Sequence, residues 1–254
     1  MASKVGFFSF LDPVMNFLFG WTLQLSPFWA VLIISFILSL MVTLIYKFTT
    51  NQSLMKSLKE EIKALQAEMK TLRHDPSKMM EVNRRAMETN MKYMSQSFKP
   101  MLFTFLPVII IFGWLNAHLA FEPIHPGQEF TMTVLFETGA RGNITIFPSE
   151  GLQVTSDVTK TITDGNAIFT LKAPSQGLYP VRFETDGTEY TKNVLITNER
   201  AYLEPVTRVN DDFVESITTE HAKTRVLFGL SWLWSYIVFS LVFSIVLRRM
   251  MKVY

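Results

Sequence analysis

The 254-residue chain has no cysteine, which excludes disulfide staples, thiolate metal sites and a cysteine nucleophile together. Charge is scarce: Asp, Glu, Lys and Arg make up 18% of the residues, against roughly a quarter in an average globular chain. The formal net charge is +2, so no excess of positive charge suits the chain to nucleic acid, and DNA is not an expected partner. There are four histidines, His74, His118, His125 and His221, and no pair has metal-ligand spacing. A phosphate-cradling P-loop, a G-x-S-x-G elbow and an H-E-x-x-H pair are all missing. These absences predict a protein that is not an enzyme and that uses no metal or cofactor. What is abundant is apolar: 48% of the residues are hydrophobic, with 22 Phe and 14 Met.

The apolar residues are segregated. Residues 13–46, 100–121 and 226–247 contain no Asp, Glu, Lys or Arg. A helix rises about 1.5 Å per residue, so each run is long enough for a hydrocarbon core of about 30 Å. Three transmembrane helices are therefore expected, at 26–47, 100–121 and 226–247. The first run is too long for one span. Its N-terminal part, 1–25, reads as an interfacial segment, with Phe7, Phe8 and Phe10 before Asp12-Pro13 and Phe17, Leu18 and Trp21 after it.

Charges flanking the spans set an orientation. Segment 47–99 holds 11 Lys/Arg and 6 Asp/Glu, 122–225 holds 9 and 15, and the tail 248–254 is purely basic. Basic flanks stay in the cytoplasm. The chain is thus expected in the cell membrane, with 48–99 and the C-terminus cytoplasmic and the N-terminus and 122–225 outside.

Segment 48–99 reads as an antiparallel coiled-coil hairpin. Leu54, Leu58, Ile62, Leu65, Met69 and Leu72 step by 4, 4, 3, 4 and 3. Asp75-Pro76 then offers an N-cap and a first helical residue for a second helix. Its apolar positions are Met80, Met87, Met91, Met94 and Phe98. Met packs irregular contacts and also suits promiscuous apolar surfaces, so this row either closes the hairpin or, with Met79, binds clients. Lys56, Lys63, Arg84 and Arg85 form a solvated face suited to the ribosome or anionic lipid.

Residues 127–200 alternate apolar and polar between turn signals, Asp164-Gly165 and Asp186-Gly187 among them. About seven short strands predict an all-β, Ig-like sandwich, with Tyr179 of Gly177-Leu178-Tyr179 placed as in a tyrosine corner. Asn143-Ile144-Thr145 is a glycosylation sequon, which makes Asn143 a candidate acceptor. Residues 201–225 read as a polar connector with a helix starting near Asn210. In the spans, Ser35, Ser39 and Thr43 recur every fourth residue, and Thr104, Asn116, Ser231 and Ser235 add further polar groups. Such groups either pack helices together or line a polar groove.

Two stretches carry a resemblance: LSLMVTLIYK (38–47) running into the Lys/Glu-rich hairpin, and DPSKMMEVNRRAMETNMKYMSQSFKPMLFTFLPVIIIFGWL (75–115). Together they resemble archaeal YidC-like proteins of the Oxa superfamily of membrane protein insertases, over about 1–120 and 205–254. The resemblance implies three core spans with a cytosolic hairpin between the first two, and a lipid-open polar groove that works without nucleotide. It implies nascent membrane proteins as clients, the lipid bilayer as surroundings, and the ribosome and the Sec translocon as further candidate partners. Unlike many bacterial members, this chain has no Arg at 28–46, 101–121 or 226–247. A different reading is an envelope-anchoring or receptor-like protein that binds an outer partner through the β domain. A channel subunit is a third, weakened by the lack of intramembrane charge.

Overall fold

The computed structural model describes residues 11–72, 74–209 and 211–253. Phe7, Phe8, Phe10 and Asn210 lie outside the described residues. The chain divides into two compact units, one formed by residues up to Pro27 with Gly113–Trp232, the other by Phe28–Phe112 with Leu233–Tyr254.

Among the described residues three helices are long and apolar enough to cross a membrane: α2 Pro27–Thr49, α4 Pro76–Leu119 and α5 Trp232–Met250. α1 (Asp12–Phe19) precedes them, and α3 (Gln52–Thr71) lies between α2 and α4. The chain breaks between α2 and α3 because Asn51 is extended, and its side chain accepts the Leu54 amide to cap α3. At the hairpin turn Asp75 Oδ1 accepts the Lys78 amide at 3.2 Å, and α4 starts at Pro76. α4 then runs unbroken through Pro100 and Pro107, so hairpin arm and second span are one helix of 44 residues. α5 starts later than the uncharged run suggests. Residues 226–231 form a tight turn, with Phe228 at φ +48° and the Val226 amide bonded to the Leu230 carbonyl. Edge-to-face ring pairs pack α5: Phe28 with Phe239 at 5.5 Å, Phe36 with Phe243 at 5.3 Å, and Phe112 with Tyr236 at 4.7 Å.

The other unit holds two antiparallel sheets. One is ordered β3-β5-β1-β9-β8 and the other β4-β2-β6-β7. The strands are β1 Glu129–Phe136, β2 Asn143–Pro148, β3 Gln153–Val154, β4 Thr159–Thr161, β5 Asn166–Lys172, β6 Gly177–Thr185, β7 Thr188–Ile196, β8 Val206–Arg208 and β9 Val214–Thr219. Alternation turns Phe130, Met132, Val134, Phe169, Leu171, Val181 and Phe183 inward to one core, where the Phe169 and Phe183 rings lie 5.7 Å apart. Asp186-Gly187 makes the β6–β7 turn with φ of +50° and +75°, the left-handed pair that a two-residue hairpin requires. Tyr179 donates its hydroxyl to the Ser175 carbonyl at 3.0 Å, the back-bond expected of it.

The segment 201–225 is not a helical connector. β8 and β9 lie in it, and β9 pairs with β1 in register from Met132↔Thr219 to Phe136↔Val214, with a bulge after Leu135. The sheets therefore have nine strands rather than about seven, and they extend past residue 200.

Candidate functional site

The hairpin sorts its apolar residues differently from the sequence expectation. On α3 the buried positions are Met55, Leu58 and Leu65, while Leu54 is exposed. On residues 76–99 of α4, the hairpin arm, Val82 and Thr89 are buried, with Ala86 and Tyr93 partly covered between and after them. Thr89 donates to Glu61 Oε1 at 3.2 Å across the hairpin. Each of these α4 positions except Ala86 follows a Met of the expected row by two residues. Two residues turn a helix by about 200°, so the Met row occupies the opposite face.

That face is open. Met80 is 72% exposed, Met91 70%, and Phe98 57%, with Met87 and Met94 between these values. The Met row is therefore not the packing seam. Because α4 is continuous, the stripe goes on at the same spacing through Leu102, Phe105 and Ile109, all exposed. Beside it, Leu54, Leu58, Met91 and Ser95 line a cleft of about 400 Å³ between α3 and α4. Met79 is 39% exposed, at the edge of the stripe. Lys56, Lys63, Arg84 and Arg85 all face solvent. Arg84 makes a loose ion pair with Glu88 one turn on, at 3.9 Å.

The hydroxyl stripe of α2 is buried. Ser35 donates to the Val31 carbonyl at 2.6 Å and Thr43 to the Ser39 carbonyl at 2.7 Å, so both are satisfied within their own helix. Ser39 alone reaches across, to the Ser240 carbonyl at 3.4 Å. It helps line a cleft of about 310 Å³ between α2 and α5 with Leu38, Val42, Ser240, Leu241 and Ser244. An open lining therefore narrows from three residues to Ser39. Ser240 and Ser244 join it there, two hydroxyls outside the expected set. Ser235 is buried, and Thr104 is half-buried and bonded to the Met101 carbonyl. Asn116 and Ser231 belong to the unit that carries the β domain.

In that unit, His118 is buried, with Nδ1 2.9 Å from the Trp114 carbonyl and its ring stacked on Trp114. Trp114 in turn donates to Asn16 of α1 at 2.8 Å. The Tyr202 hydroxyl accepts the Ala120 amide and donates to the Asn116 carbonyl, which closes the end of α4. Burial pushes this hydroxyl up to about 12. Burial lowers the pKa of His221, whose Nδ1 sits 3.1 Å from the Glu122 carbonyl. Asn143 opens β2 on the surface and accepts from Thr161 at 3.0 Å. Among the described residues no group of three or more His, Cys, Asp or Glu is placed to hold a metal ion.

Three apolar helices, an exposed Met face and a β domain define an integral membrane protein. Residues 12–150 match the family described as integral membrane protein EMC3/TMCO1-like, and the chain belongs to that family. The matched stretch covers α1 to β2 and leaves α5 outside. The family is related to the Oxa and YidC insertases but is not specific to YidC, which corrects the nearer resemblance. No curated protein and no solved structure matches the chain.

Proposed function

We propose that the protein is an insertase that receives hydrophobic segments of nascent membrane proteins on the Met face of α4. The observation that carries this reading is the placement of that face, opposite the packing seam and open along the helix. An exposed apolar patch of this length marks a surface for an apolar partner. Unbranched Met side chains repack around segments of different shape. A captured segment moves along the stripe from Met80 towards Ile109, out of water and into lipid, driven by its own apolar area. No nucleotide is needed, and the protein is not an enzyme. The hairpin and C-terminus face the cytoplasm, as the basic flanks favour. Lys56, Lys63, Arg84 and Arg85 then face the ribosome, and the Sec translocon is a neighbour during insertion.

Membership of an insertase-related family supports the same role. Photocrosslinkers at Met87 and Met91 should capture membrane segments on stalled ribosomes, and one at Ala86 on the seam should not. Equal capture from the seam position would sink the assignment of the Met face.

A further inference from the structure

We infer that α2 and α5 together hold an anionic phospholipid, its phosphate on Arg248 and one acyl chain in the cleft beside Ser39. This goes beyond client capture, which leaves that cleft unused.

Arg248 stands in the last turn of α5, where the uncharged run 226–247 ends, with Arg249 next to it. Its guanidinium lies over the Tyr46 ring, with Cζ 5.0 Å from the ring centre. Tyr46 is fixed in turn by a 3.1 Å hydrogen bond to Ser97 of α4. The Nε of Arg248 is withdrawn from solvent and has no hydrogen-bond partner, and no carboxylate pairs with it among the described residues. With Nε shut off from water, the charge of this half-buried guanidinium is compensated by an anion on its remaining N–H edge. A planar guanidinium stacked on an aromatic face keeps its N–H edge for bidentate contact with phosphate.

The cleft lies one helical turn further into the membrane. Val42 precedes Tyr46 by four residues, and Ser244 precedes Arg248 by four, so each pair shares a helix face. Four residues are about 6 Å along the axis, the depth at which ester groups lie below a phosphate. Ser244 is placed there for an ester oxygen. Beyond it Leu38, Val42, Ile237 and Leu241 give an apolar wall for a chain. α5 keeps only 11% of its apolar window buried, so lipid reaches the cleft directly. Arg249 and Lys252 beside the site, with Lys47 ending α2, favour a negative headgroup.

The test is retention of lipid by the full chain in detergent, read by native mass spectrometry. Phosphatidylglycerol should be retained over phosphatidylcholine by about fivefold, since both offer Arg248 a phosphate but only the second adds a choline cation that Arg248 repels, about the worth of one basic residue at an anionic surface. Arg248→Gln should erase the preference, and Arg248→Lys should keep part of it while leaving the fold intact. Ser240→Phe, which fills the cleft, should release both lipids and leave Arg248 in place. Equal retention of the two lipids overturns the inference. So does an unchanged preference in both Arg248 variants. Displacement by inorganic phosphate alone, with Ser240→Phe silent, would make this a free-anion site and overturn the lipid.

Discussion

The β domain and the helical unit treat apolar side chains in opposite ways. In the β domain the inward residues of both sheets close into one core, and Phe169 and Phe183 are fully buried. In the helical unit the Met row of α4 and most of α5 stay open. The two differ in what finishes them. Strand alternation gives each sheet one inner face, and two such faces satisfy each other. A long helix has more apolar surface than one neighbour can cover. Lipid completes the remainder of α2, α4 and α5, and under the proposed function a client completes the remainder of the hairpin.

The sharpest way to break this comparison is to ask which side of the membrane each region occupies. Cysteines introduced at Glu150 in the β domain and Ser77 in the hairpin are both on exposed residues of a chain without native thiols. An impermeant maleimide added to intact cells should label the first and leave the second unmodified. Labelling at Ser77 would invert the proposed orientation and remove clients from the Met face.

The next largest effect is on stability. Phe169→Ala in the β core should cost about 3–5 kcal/mol, because a large cavity opens in a closed core. Met91→Ala, on a side chain 70% exposed, should stay within about 0.5 kcal/mol. Hydrogen exchange in β5 and α4 reads both. A comparable loss at Met91 would mean that the Met face is packed.

Much of this is legible in the sequence. The three spans follow from absent charge, and β1, β5, β6 and β7 follow from period-two alternation. The hairpin turn follows from Asp75-Pro76. The true seam of α4 was hidden because it is built partly from Ala86 and Thr89, which a hydropathy reading ranks below Met. β8 is hidden because it has three residues, all exposed, and β9 because inward Ser216 and Thr219 and a register shift at Leu135 and Phe136 break its apolar alternation. The start of α5 was misplaced because Phe228 and Gly229 turn the chain with positive φ inside an apolar run. Arg248 stood at the end of that run as one more basic flank. Only its stacking on Tyr46 and its covered Nε single it out.

A smaller effect is expected where the chain leaves α4. Tyr202→Phe removes the hydroxyl that joins the Asn116 carbonyl and the Ala120 amide. Leaving that buried amide unpaired should cost about 1–2 kcal/mol. The Ala120 amide should then exchange roughly 5–30-fold faster. An unchanged rate would show that solvent or another group already serves it.

The smallest effect concerns Lys192, the exception to the closed β core. Alternation along β7 turns it inward between Tyr190 and Val194, where a lysine is out of place by composition. Its Nζ finds the Glu204 carbonyl at 3.0 Å and the Thr207 hydroxyl at 2.8 Å. Burial still brings its pKa down from 10.5 to about 8. The folded chain therefore gives up this proton before the unfolded chain does. Between about pH 8 and the unfolded value the unfolded state holds more protons, so stability rises with pH across that window. Tyr190 is held up to about 12 by burial and by Asp211, so its folded form does not titrate there, and unfolded tyrosines reach half-ionisation only near about pH 10. Urea unfolding of the β domain should therefore show a small gain from about pH 7.5 to about pH 9.5. In Lys192→Met that gain should vanish, since the buried ammonium that gives it is gone. A gain that persists in Lys192→Met would assign the pH dependence elsewhere and leave the ammonium fully charged inside the sandwich.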